Sequence, residues 1–460
     1  MSDLNKIIED LSKFLLLPLY TRVLTPTDYG IVSLVTIFTG FAGIIFSLGT
    51  SSSIFRFYST KDDIQQRGKV FYGGLLIVCL WCLILFLIIY PFKNTLSIFL
   101  FNTDAYSKHL MIGVGSAIFI TIYNIPMFIL RAERKSVVFI TNNIIKVFIN
   151  ISLGVILIVI LKRGSIGVLE ASFFTSLIFS IYTLYYRLRR SQFSIDKSTI
   201  IYLLKFGFPL IFAGFGMIIL NSSDKYFLKE YTVLKQVGIY SIGYTFGSGI
   251  NILINAFKNA WPRFLFLYKD KKNADKFFGS VFTYYIAIMG VSWLLITLFS
   301  KEIVMLMTAK DFWAAYEVIP IITLSYIFYG ASSITSAGIY IKDKTYNDYF
   351  ITPVASVFCL LLNYFFISKW GMMGAAWATL FSFLIFFCLY TIIGHKYVQL
   401  IFDRKKILFV IILLLLGYEL SLIQIFNNFW FTVTYKIFII LSTIVVLLKT
   451  KIFFNEEYQL

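Results

Sequence analysis

Long apolar runs limit the folds that this sequence can adopt. Phe71–Tyr90 contains no charged residue, Val137–Leu161 contains one lysine, and Ile407–Ile425 contains one glutamate. Each run is near the roughly 20 residues that a helix needs to cross a bilayer. Strands are not expected, because the strands of membrane barrels alternate polar and apolar residues. Only 14% of the residues are charged and the mean hydropathy is +0.82, so the sequence predicts an all-α integral membrane protein.

Fourteen apolar segments divide the chain into predicted membrane spans. The first has Glu9, Asp10 and Lys13 where its cytoplasmic half should lie, so it is predicted to be short or partly interfacial. Because Met1–Lys13 has no small-residue cleavage site, no cleavable signal peptide is expected. The predicted spans are 11–24, 30–55, 70–92, 109–130, 137–161, 166–186, 203–222, 237–258, 278–299, 315–340, 348–368, 373–394, 407–426 and 429–448.

The positive charge of the chain, a formal net charge of +18, is unevenly distributed around these spans. With the N-terminus placed inside, the cytoplasmic segments contain 27 Lys and Arg residues and the outer segments contain 11. The positive-inside rule therefore predicts that both termini are cytoplasmic, and it explains the charge without a nucleic-acid partner. No loop has room for a soluble catalytic domain, so an enzyme is not expected.

The first half of the sequence is repeated in the second half. Asp28–Phe38 resembles Val237–Phe246, and Gly164–Ala171 resembles Gly371–Ala378. The second pair shares the spacing G-x-x-G-x-x-x-A, which places small residues on one helix face and allows close packing. Two further pairs occur in the same order, namely Lys13–Pro18 with Lys205–Pro209 and Arg56 with Arg263.

Spans 1–6 therefore correspond to spans 7–12, and six spans per repeat give both repeats the same topology. This pattern predicts two six-helix lobes in a pseudo-twofold arrangement around a central cavity. The predicted domains are an N-terminal lobe at 1–195, a C-terminal lobe at 196–400 and two additional transmembrane helices at 401–460.

Several of these segments resemble a known family. Leu24–Ser33 is similar to the N-terminal signature of the bacterial polysaccharide flippases that serve O-antigen and capsule synthesis. This family belongs to the superfamily of multidrug, oligosaccharidyl-lipid and polysaccharide exporters, and the resemblance covers about residues 12–400. Ser47–Gly49, Arg56–Tyr58, Arg131–Glu133, Asn221–Lys225 and Val237–Ser241 also resemble the family.

The resemblance implies a flippase that moves an undecaprenyl-pyrophosphate-linked oligosaccharide across the bacterial plasma (inner) membrane by alternating access. It implies no cofactor. The implied partners are this lipid-linked oligosaccharide, membrane lipids, a coupling H⁺ or Na⁺, and the polymerase and glycosyltransferases of the same pathway. An ion-coupled multidrug extruder and a lipid-linked peptidoglycan precursor flippase, both of the same superfamily, are alternatives.

A pyrophosphate-linked sugar requires cations for phosphate and polar groups for the sugar, so we searched the spans for both. Lys146 lies roughly 13 Å into the fifth span, and Asn142 and Asn150 share its helix face. Such a lysine either faces a cavity, extends to the interface or pairs with an acid. Its depth favours an anionic substrate over the cationic substrates of a multidrug extruder.

The eighth span has a polar stripe at helical spacing, which meets substrate, water or another polar helix. Arg56 and Arg263 lie at equivalent cytoplasmic ends of the two repeats, where they would either bind an inner-leaflet pyrophosphate or anchor the topology. The stripe consists of Ser241, Tyr244, Ser248, Asn251, Asn255 and Lys258.

Three acids within or beside the spans are weaker candidates for binding a coupling ion. Asp224 is at the end of the seventh span, Glu170 lies five residues into the sixth, and Glu419 lies in the thirteenth. A polar contact at the helix end is the alternative for Asp224. No metal spacing, phosphate-binding glycine loop or nucleophile–base pair is present in the sequence, so neither a metal site nor an ATP-driven pump is expected.

Overall fold

The computed structural model describes residues 14, 16–60, 63–271, 273–423 and 429–450. Within these residues every regular element is helical, and eleven helices are long and apolar enough to cross a membrane. The prediction of an all-α membrane protein is therefore confirmed, whereas the count of fourteen spans is not.

Two compact units are present, Met1–Gly238 and Ile239–Leu460. The helices are α1 Pro26–Ser47, α2 Thr50–Ser59, α3 Ile64–Ile89, α4 Lys93–Phe101, α5 Ser107–Ala132, α6 Ser136–Gly154, α7 Gly164–Leu188, α8 Lys197–Tyr231, α9 Leu234–Gly247, α10 Asn251–Tyr268, α11 Ala274–Leu298, α12 Ser300–Met307, α13 Ile319–Thr335, α14 Ala337–Ile341, α15 Asp348–His395, α16 Arg404–Leu422 and α17 Phe429–Lys449. Short 3₁₀ segments lie at Tyr90–Phe92, Ser248–Ile250, Lys310–Val318 and Thr345–Asn347, and a π-helical turn at Val155–Ile160 continues α6.

The difference in span count has three causes. The predicted spans 348–368 and 373–394 are two helices joined at a kink at Gly371, and they count together as one element, α15. Helix α16 carries Arg404, Lys405, Lys406 and Glu419 within 19 residues, too many charges for a clear span. At the first predicted span, residues 16–23 are helical. Residues 11–13 and 15 of that span, and 424–426 of the thirteenth, lie outside the described residues.

The first unit includes helix α8, which packs against α1, α2 and α3. The predicted domain boundary at 195/196 instead assigns this helix to the second lobe. Contact compactness and repeat symmetry are different criteria, so the division into 1–195, 196–400 and 401–460 stays a prediction.

Thr25 and Asp28 form a cap at the start of α1. The Thr25 hydroxyl accepts a hydrogen bond from the Asp28 N–H at 3.2 Å, and the Asp28 carboxylate accepts one from the Thr25 N–H at 3.1 Å. This reciprocal capping box satisfies two backbone donors that would otherwise lack partners at the helix start. Pro26 at the first helical position adds a backbone already fixed for a helix.

Gly30 and Gly238, which correspond to each other in the first repeated pair, contact each other's segments. A Cβ on Gly30 would overlap the Leu234 carbonyl, and a Cβ on Gly238 would overlap the Pro26 carbonyl. Glycine is therefore required at both positions, because the backbones touch directly. At this pair of corresponding glycines, the start of α1 therefore touches the start of α9.

The second repeated pair shares a backbone conformation. Gly164 and Gly371 have φ values of +61° and +52°, in the left-handed region that favours glycine. Gly164 begins α7, and Gly371 separates the two halves of α15. Each repeat therefore turns into its sixth span through a glycine.

In the second unit, α16 packs against α11, and α17 packs against both. A Cβ on Gly290 of α11 would overlap the Leu414 side chain, so this glycine sets the close approach. Lys436 of α17 lies within a span and pairs with Glu302 of α12 at 2.5 Å, with both side chains largely buried. Sequence analysis did not single out this ion pair.

We expect Gly30→Ala to destabilise the fold, because the added methyl group has only backbone to displace. Overpacking of this kind costs about 1–3 kcal/mol. Gly43→Ala in the same helix is the matched control, since a Cβ there meets no atom within 4 Å. Thermal unfolding of the detergent-purified variants measures the difference, and equal melting temperatures for both would contradict the contact.

Candidate functional site

Lys146 lies ten residues into α6, half-buried, with its ammonium 4.3 Å from the centre of the Tyr123 ring. This is a cation–π contact, which stabilises a charge that is partly removed from water. The Tyr123 hydroxyl donates a hydrogen bond to the Asn143 side chain at 3.1 Å. The lysine is therefore held in place by a tyrosine of α5 that is itself oriented by a neighbouring amide of α6.

The two asparagines expected beside Lys146 make separate contacts. Asn142 is buried and donates to the Val138 carbonyl at 2.8 Å. Asn150 is half-buried and donates to the Thr175 hydroxyl of α7 at 3.4 Å. Asn142 thus bonds to its own helix, whereas Asn150 links α6 to α7.

The polar stripe of the predicted eighth span is divided by the 3₁₀ segment Ser248–Ile250. Before this segment, Ser241 and Tyr244 of α9 are buried, and the Tyr244 hydroxyl lies 2.7 Å from that of Tyr326. The Ser248 hydroxyl donates to the Thr245 carbonyl at 3.1 Å. After this segment, Asn251 and Asn255 are half-buried on α10. The part of the stripe on α9 packs against a polar residue of α13.

Lys258 of α10 repeats the arrangement found at Lys146. Its ammonium lies 4.2 Å from the centre of the Tyr329 ring and 3.2 Å from the Tyr329 hydroxyl. Tyr123 and Tyr329 are 206 positions apart, close to the 207 that separate Gly164 from Gly371. Each unit therefore places a lysine on a tyrosine of its fourth span, although the lysines come from non-equivalent spans.

The remaining cations and acids lie elsewhere. Arg56 is exposed on α2, with its guanidinium 4.7 Å from the centre of the Phe206 ring, and Arg263 is exposed on α10. Glu170 pairs with Arg163 at 3.0 Å and is largely buried.

Of the other two acids, Asp224 differs from expectation in position and Glu419 lies within its predicted span. Asp224 is buried within α8, which continues to Tyr231, so it does not end this helix; its carboxylate accepts from the Lys225 N–H at 2.9 Å. Glu419 is exposed, three residues before the end of α16.

One end of the first unit contains a buried ionic cluster of Glu133, Tyr58 and Arg187. Glu133 accepts hydrogen bonds from the Tyr58 hydroxyl at 2.6 Å and from Arg187 at 2.7 Å, and Lys135 lies 2.7 Å from its other oxygen. Arg187 also donates to the Tyr58 hydroxyl. Burial raises the pKa of Glu133, but the bonds from Lys135, Tyr58 and Arg187 outweigh it and lower the pKa to about 2.

The second unit has a counterpart in which the partners of the acid carry no charge. Asp348, at the start of α15, accepts from the hydroxyls of Tyr340 at 3.1 Å and Tyr390 at 3.0 Å. In both units the acid lies near the start of the fifth span of the repeat. It bonds to one group close to the connection between the fourth and fifth spans, and to another near the end of the sixth span. Each acid joins helix ends that are distant in sequence.

Sequence analysis missed Tyr123, Tyr329 and Asn143. Aligning the two repeats would have placed the two tyrosines together, because their separation matches that of the glycine pairs. No comparable signal marks Asn143. No group of three or more His, Cys, Asp or Glu side chains in the described part of the chain could hold a metal ion.

We expect acid to destabilise the protein partly through Glu133. Its pKa in the folded state, about 2, is below its ordinary value of 4.5. The carboxylate therefore contributes stability above about pH 4.5, and this contribution is lost as the pH falls toward 2. Glu133→Gln should flatten the decline of melting temperature between pH 6 and pH 3. Asp311→Asn, at an exposed carboxylate, is the control, and an equally steep decline in Glu133→Gln would contradict the role of the cluster.

Solved structures share this fold. The inward closed conformation of the lipid II flippase MurJ aligns with a TM-score of 0.72 at 20% identity, covering 98% of this chain and 99% of MurJ. An inward-facing multidrug resistance MATE family transporter of the MOP superfamily aligns with a TM-score of 0.66 at 16% identity, covering 84% and 94%. A MOP superfamily transporter from Pyrococcus furiosus aligns with a TM-score of 0.56 at 15% identity, covering 86% and 93%.

The sequence itself is matched by one family model. No curated protein is similar enough in sequence to match. The model of the polysaccharide biosynthesis protein family matches residues 4–265, which is more than half of the chain. The chain therefore belongs to the polysaccharide biosynthesis protein family, with a MurJ- and MATE-like helical fold.

Proposed function

We propose that this protein is a flippase that moves an undecaprenyl-pyrophosphate-linked oligosaccharide across the bacterial inner membrane for O-antigen, capsule or exopolysaccharide synthesis. The observation that carries the proposal is the pair of half-buried lysines, Lys146 and Lys258, each held on a tyrosine ring in its own unit. A lysine ammonium has three donors. Such a group binds a phosphate oxygen strongly where water is scarce.

The polar surroundings of both lysines support a glycan substrate. Asn251 and Asn255 precede Lys258 on α10 at helical spacing, and Asn150 follows Lys146 on α6. Amides donate and accept hydrogen bonds, as sugar hydroxyls require. We propose that Arg56 and Arg263 bind the pyrophosphate as it enters from the cytoplasmic leaflet. Two six-span lobes then expose the site alternately to each side.

In this proposal both termini are cytoplasmic, and the substrate moves from the inner to the outer leaflet. Glu170 is paired with Arg163, which makes it a weaker candidate for a coupling ion. Asp224 and Glu419 remain candidates for H⁺ or Na⁺. Partners in this proposal are membrane lipids and the polymerase and glycosyltransferases of the same pathway.

A second candidate is a flippase for the lipid-linked peptidoglycan precursor. The likeness to MurJ, a lipid II flippase, covers 98% of this chain, compared with 84% for the MATE transporter. The MurJ-like fold thus accounts for more of the chain, which favours a lipid-linked substrate over a soluble drug. Both lipid-linked substrates carry a pyrophosphate, so the two lysines fit either.

We expect Lys146→Ala and Lys258→Ala each to reduce surface glycan about tenfold in a host that lacks its own polysaccharide flippase and has the matching sugar pathway. The loss corresponds to one hydrogen bond to a charged group. Lys→Arg at either position keeps the charge and should retain part of the export. Lys271→Ala is the matched control, because Lys271 also lies on a tyrosine ring, 4.3 Å from the centre of Tyr268, but beyond the end of α10.

Immunoblots of membranes must show equal protein for all variants. Full export by both alanine variants would show that neither lysine belongs to the substrate site. If the wild-type chain fails in this host but replaces an essential lipid II flippase, the second candidate is correct. Failure in both hosts together with drug efflux from vesicles would indicate an extruder.

A further inference from the structure

An apolar groove of about 550 Å³ lies among α3, α5 and α7 of the first unit, and its lining does not include Lys146. One wall is a face of α5 that includes Met111, Gly115 and Ile122, and the opposite wall includes Leu83 of α3. A groove of this volume is in the usual range for sites that hold small ligands. Its lining is almost entirely hydrocarbon and aromatic carbon, so it suits an apolar chain.

The recess depends on a glycine and a phenylalanine. A Cβ on Gly115 would lie 2.6 Å from the Phe173 ring, so Phe173 of α7 can pack closely against α5. Phe119 also contacts Phe173 edge to face, with ring centres 5.6 Å apart. Two residues one turn apart on α5 therefore position Phe173, and the groove is built into the packing.

The groove has the length of one leaflet. Helix α5 has 26 residues, about 39 Å, whereas the hydrocarbon core of a bilayer is about 30 Å thick. When the helix is centred in the bilayer, Lys108 near its start lies at headgroup level. Ile122 lies 14 residues further along, about 21 Å away and near the midplane.

One end of the groove is cationic. Lys108 lines it and is exposed. None of the ion pairs in the described ranges includes Lys108. A lysine at headgroup level attracts anionic lipid phosphate.

We infer that this groove binds one acyl chain of an anionic phospholipid, with the lipid phosphate at Lys108 and the chain end near Ile122. In the proposed topology this lipid belongs to the outer leaflet. A polyprenyl chain is longer than one leaflet and fits the groove less well. The inference goes beyond the proposed function, because the lipid is bound rather than transported.

The test uses the purified full-length chain in phosphatidylcholine vesicles that contain a little phosphatidylglycerol with a diazirine at the end of one acyl chain. After irradiation, peptide mass spectrometry maps the labelled residues. We expect label to concentrate on residues 118–122 of α5 and 79–86 of α3. Lys108→Glu should reduce that label about tenfold.

Lys235→Glu is the matched control, because Lys235 is also exposed and also the second residue of its helix, α9. It should leave the label unchanged. Leu83→Trp provides an independent test, since Leu83 is 56% exposed and a larger ring there fills the groove without entering the core. It should reduce the label while the melting temperature stays the same.

Four results would overturn the inference. The first is label spread evenly over the exposed apolar helices. The second is an equal loss in Lys108→Glu and Lys235→Glu. The third is equal labelling by the same probe with a phosphatidylcholine headgroup. The fourth is displacement of the probe by polyprenyl phosphate but not by excess unlabelled phosphatidylglycerol, which would identify the occupant as a polyprenyl lipid. None of these results depends on whether the protein transports a glycan.

Discussion

Hydrocarbon offers no hydrogen-bond partner, so every polar group that enters the membrane must find one inside the protein. Helices meet this requirement for the backbone. The side chains meet it by pairing across helices: Lys146 and Lys258 lie on tyrosine rings, and Lys436 pairs with Glu302. The polar clusters around Glu133 and Asp348 do the same at helix ends. The polar groups of this protein therefore also determine which helices are neighbours.

The two units solve equivalent problems with different residues. In the first unit Glu133 is neutralised by cations, whereas Asp348 in the second is bound by two tyrosine hydroxyls. The lysine on the tyrosine comes from α6 in one unit and from α10 in the other. Sequence divergence between the repeats has thus preserved the position of the tyrosine but not the source of the charge.

The sequence was sufficient to predict the fold class because the length of the apolar runs depends only on composition along the chain. The repeated spacing also singled out Gly164 and Gly371, but as residues for close helix packing; their left-handed backbone was not predicted. The sequence did not locate the interruption of the eighth span at Ser248–Ile250, because a 3₁₀ turn leaves no periodic signal.

Partners across helices were the least predictable. Asn142 was expected on the helix face of Lys146, but its side chain bonds to the Val138 carbonyl of the same helix. The ion pair between Glu170 and Arg163, which precedes α7, was not predicted. Helical spacing gives the face of a residue but not the rotamer of its side chain. Tyr123 and Tyr329 contact lysines distant in sequence, and only the tertiary packing brings them together.

Translocation of the lipid-linked glycan in a purified system is the most direct test of the account. The protein is reconstituted into sealed vesicles with a polyprenyl-pyrophosphate-linked oligosaccharide, and a glycosidase added outside digests only the glycan on the outer leaflet. The account predicts that vesicles with the protein allow almost complete digestion, whereas protein-free vesicles retain the inner-leaflet fraction. The account would be contradicted if the glycosidase digested the same fraction in both kinds of vesicle while the protein moved a lipophilic cation.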